Sequence, residues 1–274
     1  MYSRVDGETA VSLQTFRQTH APQTLVVNGN TWEYTRFGSG DETILFLHGM
    51  TGAYDIWWQV MSRLAGDFQV ISVTYPPVDR LAGMGEGITA VLDAEKIETV
   101  HVVGSSLGGY TAQYFVANYG GRVKTAVFAN TFPPNDIIAE ENKTIGGLLP
   151  IIPEWAVMGV LKGSAEESLY TAAGNSELVR AYVLEQAYGR MSKDQFLARY
   201  HAVIDPFEPP VTNVPVMIIE ANNDPLVAEP LREMLKETYP EAVVHTLHEV
   251  GHFPYLNEPE MYAQLLFEFV ANPQ

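Results

Sequence analysis

One stretch, Val102-Val103-Gly104-Ser105-Ser106-Leu107-Gly108-Gly109, constrains this chain more than any other. It closes an apolar, β-branched run, Thr99 to Val103. It then opens a run that carries Leu107, Ala112, Phe115 and Ala117 at helical spacing. Strand, tight turn and helix meet at Gly-x-Ser-x-Gly, the context that separates a nucleophile elbow from an ordinary Gly/Ser turn. The serine of such a turn sits in strained backbone, and side chains beside it would collide with the flanking strand and helix. The turn lifts the Ser106 hydroxyl above the sheet edge and aims the first amides of the new helix at whatever it attacks. Spacing makes Ser106 the nucleophile and Ser105 the variable position.

The rest of the chain alternates strand and helix around this point. Residues 1–23 are polar, with Val11, Leu13 and Phe16 in a short helical pattern, and read as an extension packed on the outside. Thr24-Val27 and Thr31-Phe37 flank Asn28-Gly29-Asn30, a hairpin turn. Thr43-Leu47 is a continuous apolar run, as a strand buried on both faces requires. The patterns predict a helix over 54–65, a strand over 69–73, a helix over 84–94 weakened by Gly85 and Gly87, the elbow strand and helix, and a strand over 124–129. From Thr131 to about Thr212 there is no convincing strand. This block holds helical segments at 154–161, 166–172, 176–188 and 193–203, punctuated by prolines. Alternation resumes with strand 214–220, helix 229–238, strand 243–247 and helix 259–271. Such alternation implies parallel strands joined by crossover helices. The expected organisation is a core domain from 1–132 and 213–274, with a helical cap over 133–212 inserted at the sheet's C-terminal edge.

A serine hydroxyl needs a base, and the base needs a carboxylate to fix its tautomer. His252, in Gly251-His252-Phe253-Pro254, falls on the loop between the last strand and the last helix. Asp224, in Asn222-Asn223-Asp224-Pro225, follows strand 214–220. Alone, His252 reads as a core histidine and Asp224 as a turn cap. In the order Ser106, Asp224, His252, each after a strand, they form the set this elbow demands. The negative charge on an attacked carbonyl needs amide donors. Leu107 supplies one, and Met50, in His48-Gly49-Met50-Thr51-Gly52 after the Thr43-Leu47 strand, supplies the other. The His48 side chain reads as structural. Trp155, Met158, Leu161 and Tyr170 of the cap, with Phe253, are the substrate-pocket candidates. A competing motif, His248-Glu249-Val250-Gly251-His252, matches the zincin pattern, but that chemistry requires a helix carrying both histidines on one face. Here the pattern follows a strand, contains Val250 and Gly251 and runs into Pro254. No metal site or cofactor is expected.

Composition narrows the partners. The net charge of −17 argues against nucleic acid and anionic membranes. The absence of cysteine excludes disulfides, thiolate zinc sites and cysteine nucleophiles. Arg4, Asp6 and Glu8 interrupt any apolar leader, and no apolar run reaches the length of a membrane span, so the expectation is a soluble cytoplasmic protein without membrane insertion. A homodimer is compatible with the sequence. Asn142-Lys143-Thr144 matches a glycosylation sequon and, with no leader pattern, is read as chance.

Through Leu47-His48-Gly49-Met50, the Gly104–Gly109 elbow, Asp224 and Gly251-His252, the chain resembles the α/β-hydrolase superfamily over nearly its whole length. Tyr75-Pro76, Gly109-Tyr110-Thr111-Ala112-Gln113, Ala129-Asn130-Thr131-Phe132 and Phe253-Pro254-Tyr255-Leu256 look like its maspardin branch. The resemblance implies an α/β-hydrolase fold, with a mostly parallel eight-stranded-type sheet flanked by helices and an inserted helical cap. The superfamily implies hydrolysis. Animal maspardin is regarded as a binding protein whose triad is incomplete at the histidine, whereas this chain keeps His252 and His48-Gly49. A serine in the elbow sets it apart from the epoxide hydrolases and dehalogenases of this fold, which use aspartate. The expectation is a carboxylesterase-like serine hydrolase that cleaves a small acyl substrate. The alternatives are a maspardin-like binding protein and a carbon–carbon (diketone) hydrolase, for which Arg190 and Lys193 would have to make a polar pocket.

Overall fold

The computed structural model describes residues 1–138, 140 and 151–273; the sequon at Asn142 lies outside them. Helix α1 (Gly7–Thr19) precedes a hairpin of β1 (Gln23–Val27) and β2 (Asn30–Gly38). The alternating part follows as β3 (Thr43–Leu47), α2 (Trp58–Leu64), β4 (Gln69–Thr74), α3 (Leu81–Ala94), β5 (Val100–Ser105), α4 (Leu107–Tyr119) and β6 (Val123–Ala129). Between β6 and the next strand stand α5 (Glu154–Glu166), α6 (Ser168–Ala172), α7 (Glu177–Glu185), which runs on into a π-helical turn (Gln186–Arg190), and α8 (Lys193–Ala202). The chain closes with β7 (Val216–Ala221), α9 (Glu229–Thr238), β8 (Val243–Leu247), α10 (Pro254–Asn257) and α11 (Pro259–Ala271).

The eight strands form one sheet in the order β1-β2-β4-β3-β5-β6-β7-β8. Only the β1–β2 and β2–β4 pairings are antiparallel. This is the α/β-hydrolase architecture that the sequence implied. Strand β3 shows why a continuous apolar run was needed. Ile44 and Phe46 enter one core, with α2 and α11, while Leu45 and Leu47 enter the other, with α3 and α4. The chain leaves β3 for β4 on one side and returns to β5 on the other. The loops after β3 and β5 therefore diverge and leave a crevice at the sheet's C-terminal edge.

Helix α5 runs on to Glu166, past the predicted end at residue 161, and two helices start elsewhere than the sequence reading placed them. Helix α2 begins at Trp58 rather than near residue 54, because residues 53–57 form turns stitched by Ile56 N–H to Ala53 O and Trp58 N–H to Asp55 O. Helix α3 begins at Leu81, three residues early. Its Leu81 amide donates to the Asp205 side chain at 2.9 Å, which satisfies a helix-end donor. The glycines inside α3 serve packing: a Cβ at Gly87 would stand 1.9 Å from Trp32.

The turn at 53–57 anchors a buried ionic cluster. Asp55 is fully buried, and its carboxylate accepts from Arg17 Nε at 2.6 Å, Arg190 Nη1 at 2.7 Å and the Tyr182 hydroxyl. Arg17 also grips Glu185 with both Nη atoms, at 3.0 and 2.7 Å. Burial acts to raise the Asp55 pKa, but Arg190, Arg17 and the Tyr182 hydroxyl outweigh it and hold the carboxyl below the usual range. The cluster ties α1, the β3–α2 loop and the helices inserted after β6 into one body.

Candidate active site

Ser106 stands between β5 and α4 with φ +57° and ψ −123°, in the left-handed region that a non-glycine residue enters only under constraint. The surroundings impose it. Ser106 N–H donates to Ala129 O at 3.0 Å, and its carbonyl accepts from Tyr110 N–H and from the Thr131 hydroxyl. The flanking glycines are sterically required. A Cβ at Gly104 would lie 2.1 Å from Gly108 O, and one at Gly108 would lie 2.1 Å from Leu47 O.

Asp224 and His252 come together from the loops after β7 and β8. The His252 ring Nδ1 lies 2.7 Å from Asp224 Oδ2. The same oxygen accepts from Asn130 Nδ2 at 2.9 Å, and Oδ1 accepts from the amides of Leu226 and Val227. Burial pushes the Asp224 carboxyl up, but facing His252 and these donors outweigh it and hold the pKa below its ordinary value. An ionised Asp224 fixes the proton of His252 on Nδ1, which leaves Nε2 as the ring's acceptor. His252 Nε2 and Ser106 Oγ have no hydrogen-bond partner among the described residues, and both residues line one cavity of about 250 Å³.

Met50 lies on the wall of that cavity, and Leu107 is the first residue of α4. Neither amide donates to another group among the described residues. Of the pocket candidates, Leu161 and Phe253 line the cavity. The structure does not bring the other three there. Trp155 is 79% exposed on the outer side of α5, Met158 is buried in the core on one face of the sheet, and the Tyr170 hydroxyl donates to Glu177. The walls that sequence reasoning missed are Ile56, Leu169, Phe196, Leu226 and Tyr255, together with Ser164 and Ser168. No aspartate, glutamate, lysine or arginine borders it among the described residues. Arg190 is committed to Asp55, and Lys193 donates to Ile152 O.

The zincin-like stretch is not a helix. Glu249 and Gly251 both have positive φ, and their amides donate to the side chains of Asn222 and Asn223. His252 Nδ1 faces Asp224, so the two histidines of the pattern do not share a helical face.

The family model for the alpha/beta hydrolase family matches residues 44–265 of this chain. The chain is similar to maspardin of Mus musculus, with 24% identity over 94% of this chain and 88% of the relative. It is also similar to the esterase YbfF of Escherichia coli K12, with 22% identity over 79% of this chain and 88% of the relative. Among solved structures, the enol-lactonase of Burkholderia xenovorans LB400 superposes with a TM-score of 0.76 at 15% identity, over 91% of this chain and 100% of that one. No helix among the described residues is long and apolar enough to cross a membrane.

Proposed function

Because this chain belongs to the alpha/beta hydrolase family, on its maspardin-like branch, we propose that it is a serine hydrolase cleaving a small, uncharged carboxylic ester or related acyl compound. The observation that carries this reading is the convergence of Ser106, held at φ +57°, and the His252–Asp224 pair on a single apolar cavity. His252 Nε2 takes the proton from Ser106 Oγ as the oxygen attacks the acyl carbon. The Met50 and Leu107 amides receive the charge that forms on the carbonyl oxygen. The intermediate collapses, the leaving alcohol takes the proton from His252, and an acyl-enzyme remains. Water, deprotonated by the same Nε2, attacks that ester; Ser106 recovers its proton and the acid leaves. The absent Ser106–His252 hydrogen bond fits a resting site, since such contacts tighten when substrate arrives. The inserted helices act as a cap that walls the cavity through Leu161, Leu169 and Phe196.

Apolar walls, with no bordering lysine or arginine among the described residues, favour neutral acyl groups over the carboxylate-bearing dienols of a carbon–carbon hydrolase. A second reading, a binding protein on this fold, is favoured by the maspardin similarity and by the missing serine–histidine contact. One experiment separates the two. Purified protein is treated with a fluorophosphonate probe and read by intact mass beside Ser106→Ala. The expected result is a single adduct on the wild type and none on the variant. Folded wild type without an adduct would move the binding-protein reading ahead, and an adduct retained in Ser106→Ala would remove Ser106 from the mechanism.

A further inference from the structure

Arg199, on α8, is a guanidinium only 1% exposed with no carboxylate partner among the described residues. Burying such a group is costly unless fixed dipoles replace water and counter-ion. Burial pushes its pKa down to about 10, which still leaves it charged at neutral pH. Nη1 donates to Met50 O at 2.8 Å, to Gly52 O at 3.0 Å and to Met191 Sδ at 3.1 Å, Nη2 donates to Tyr75 O at 3.3 Å, and Nε has no partner among the described residues. A side chain from the inserted helices therefore holds the loop after β3.

The peptide planes of that loop explain what is being held. His48 is buried. Its Nε2 accepts from Tyr75 N–H at 3.3 Å, so its Nδ1 carries the proton and donates to Gly49 O at 2.7 Å. In a trans peptide the C=O of one residue and the N–H of the next point in opposite directions. Fixing Gly49 O therefore aims the Met50 N–H the other way. Arg199 fixes the next plane through Met50 O. Both planes that flank the Met50 Cα are tied to buried groups, while the Met50 amide itself has no partner among the described residues. The same inserted helices also reach the other half of the site, because His252 N–H donates to Ala172 O at 2.8 Å.

We propose that Arg199 is a positioning residue that sets the Met50 amide as an oxyanion donor, so that docking of the inserted helices completes the catalytic centre. The proposal rests on the serine-hydrolase reading. An oxyanion donor acts on charge that exists only in the transition state, so its misplacement lowers kcat and spares KM.

The test is steady-state hydrolysis of 4-nitrophenyl butyrate by wild type, Arg199→Lys and Arg199→Met, with folding checked by near-ultraviolet circular dichroism. Arg199→Met is expected to lose about 10- to 100-fold in kcat, less than deletion of a donor outright, with KM within about twofold. Arg199→Lys is expected to fall between the two, since a compact ammonium keeps the charge but not the planar fork that spans three carbonyls. Folded variants with wild-type kcat, or with a loss confined to KM, would overturn the proposal and leave the hydrolase reading intact. Failure of both variants to fold would also overturn it, by assigning the guanidinium to the core. A wild type that neither turns over nor labels would bring down the hydrolase reading and this proposal with it.

Discussion

Asp224→Asn lowers kcat by about 10⁴-fold while the protein stays folded. The argument is one of tautomers. Asp224 Oδ2 now faces His252 Nδ1 at 2.7 Å, which keeps the imidazole proton there and Nε2 free to accept. An asparagine amide turned toward the ring would favour the opposite tautomer, with the proton on Nε2, where it cannot receive one from Ser106. The surroundings tolerate the isostere. Oδ1 of an asparagine still accepts from the Leu226 and Val227 amides. The displaced donor, Asn130 Nδ2, belongs to an amide whose Oδ1 has no partner. A half-turn of that amide presents an acceptor to the new NH₂ group. The melting temperature should therefore shift by only a few degrees, while turnover and the rate of phosphonylation at Ser106 collapse together. A variant that labels at the wild-type rate would show that Asp224 does not govern the histidine.

Asp55→Asn carries the largest expected loss of stability, about 2–4 kcal/mol. The carboxylate is fully buried and pairs with Arg17 and Arg190 as well as Tyr182. Removing its charge leaves Arg190 with Glu185, 3.7 Å away, as its remaining ion partner, while Arg17 keeps its two-point grip on Glu185. Both guanidiniums keep some contact with water, which holds the figure below that for a wholly dry pair. In a chain of this size the loss corresponds to a melting temperature lower by about 5–12 °C. Acid should narrow the gap. The folded-state pKa of Asp55 is depressed, so its contribution is complete above the ordinary aspartate value of about 4 and fades as the pH falls through the lower, folded-state value. Thermal melts of the two proteins across that range test this. Equal melting points at neutral pH would show that the cluster contributes nothing net.

The geometry of the candidate site was partly legible in the sequence because its signals are local. The elbow and His48-Gly49 follow apolar runs, Gly251-His252 lies on the loop after β8, and the strand before each places it at the same sheet edge. The sheet was legible for a similar reason, since a five-residue apolar run such as Thr43–Leu47 is buried on both faces. The cavity walls were less so. Helix α5 buries Val157, Met158, Leu161 and Ala165, a single stripe that leaves Trp155 outside. Which part of that stripe meets the cavity depends on how the helix docks, and there Leu161 meets it while Met158 packs in the core. Arg199 and Asp55 were illegible for a stronger reason. A charged residue on a helix or turn belongs to solvent by default, and each meets partners more than a hundred residues away that no local pattern announces. Asn130 was illegible as well, since both its positive φ and its service to Asp224 are visible only in three dimensions.

The spacing of the Asp55 cluster along the chain has a kinetic consequence. Its carboxylate meets residues 38, 127 and 135 positions away. Closing such long loops costs entropy before any contact rewards it, so this cluster belongs to the late stages of folding, after the sheet and its crossover helices have formed. Contacts absent from the folding transition state restrain the way out more than the way in. Asp55→Asn should therefore speed unfolding and leave the refolding rate nearly unchanged in stopped-flow denaturant jumps. The long-range cluster would then act as a latch on the native state, prolonging its lifetime against heat and proteases.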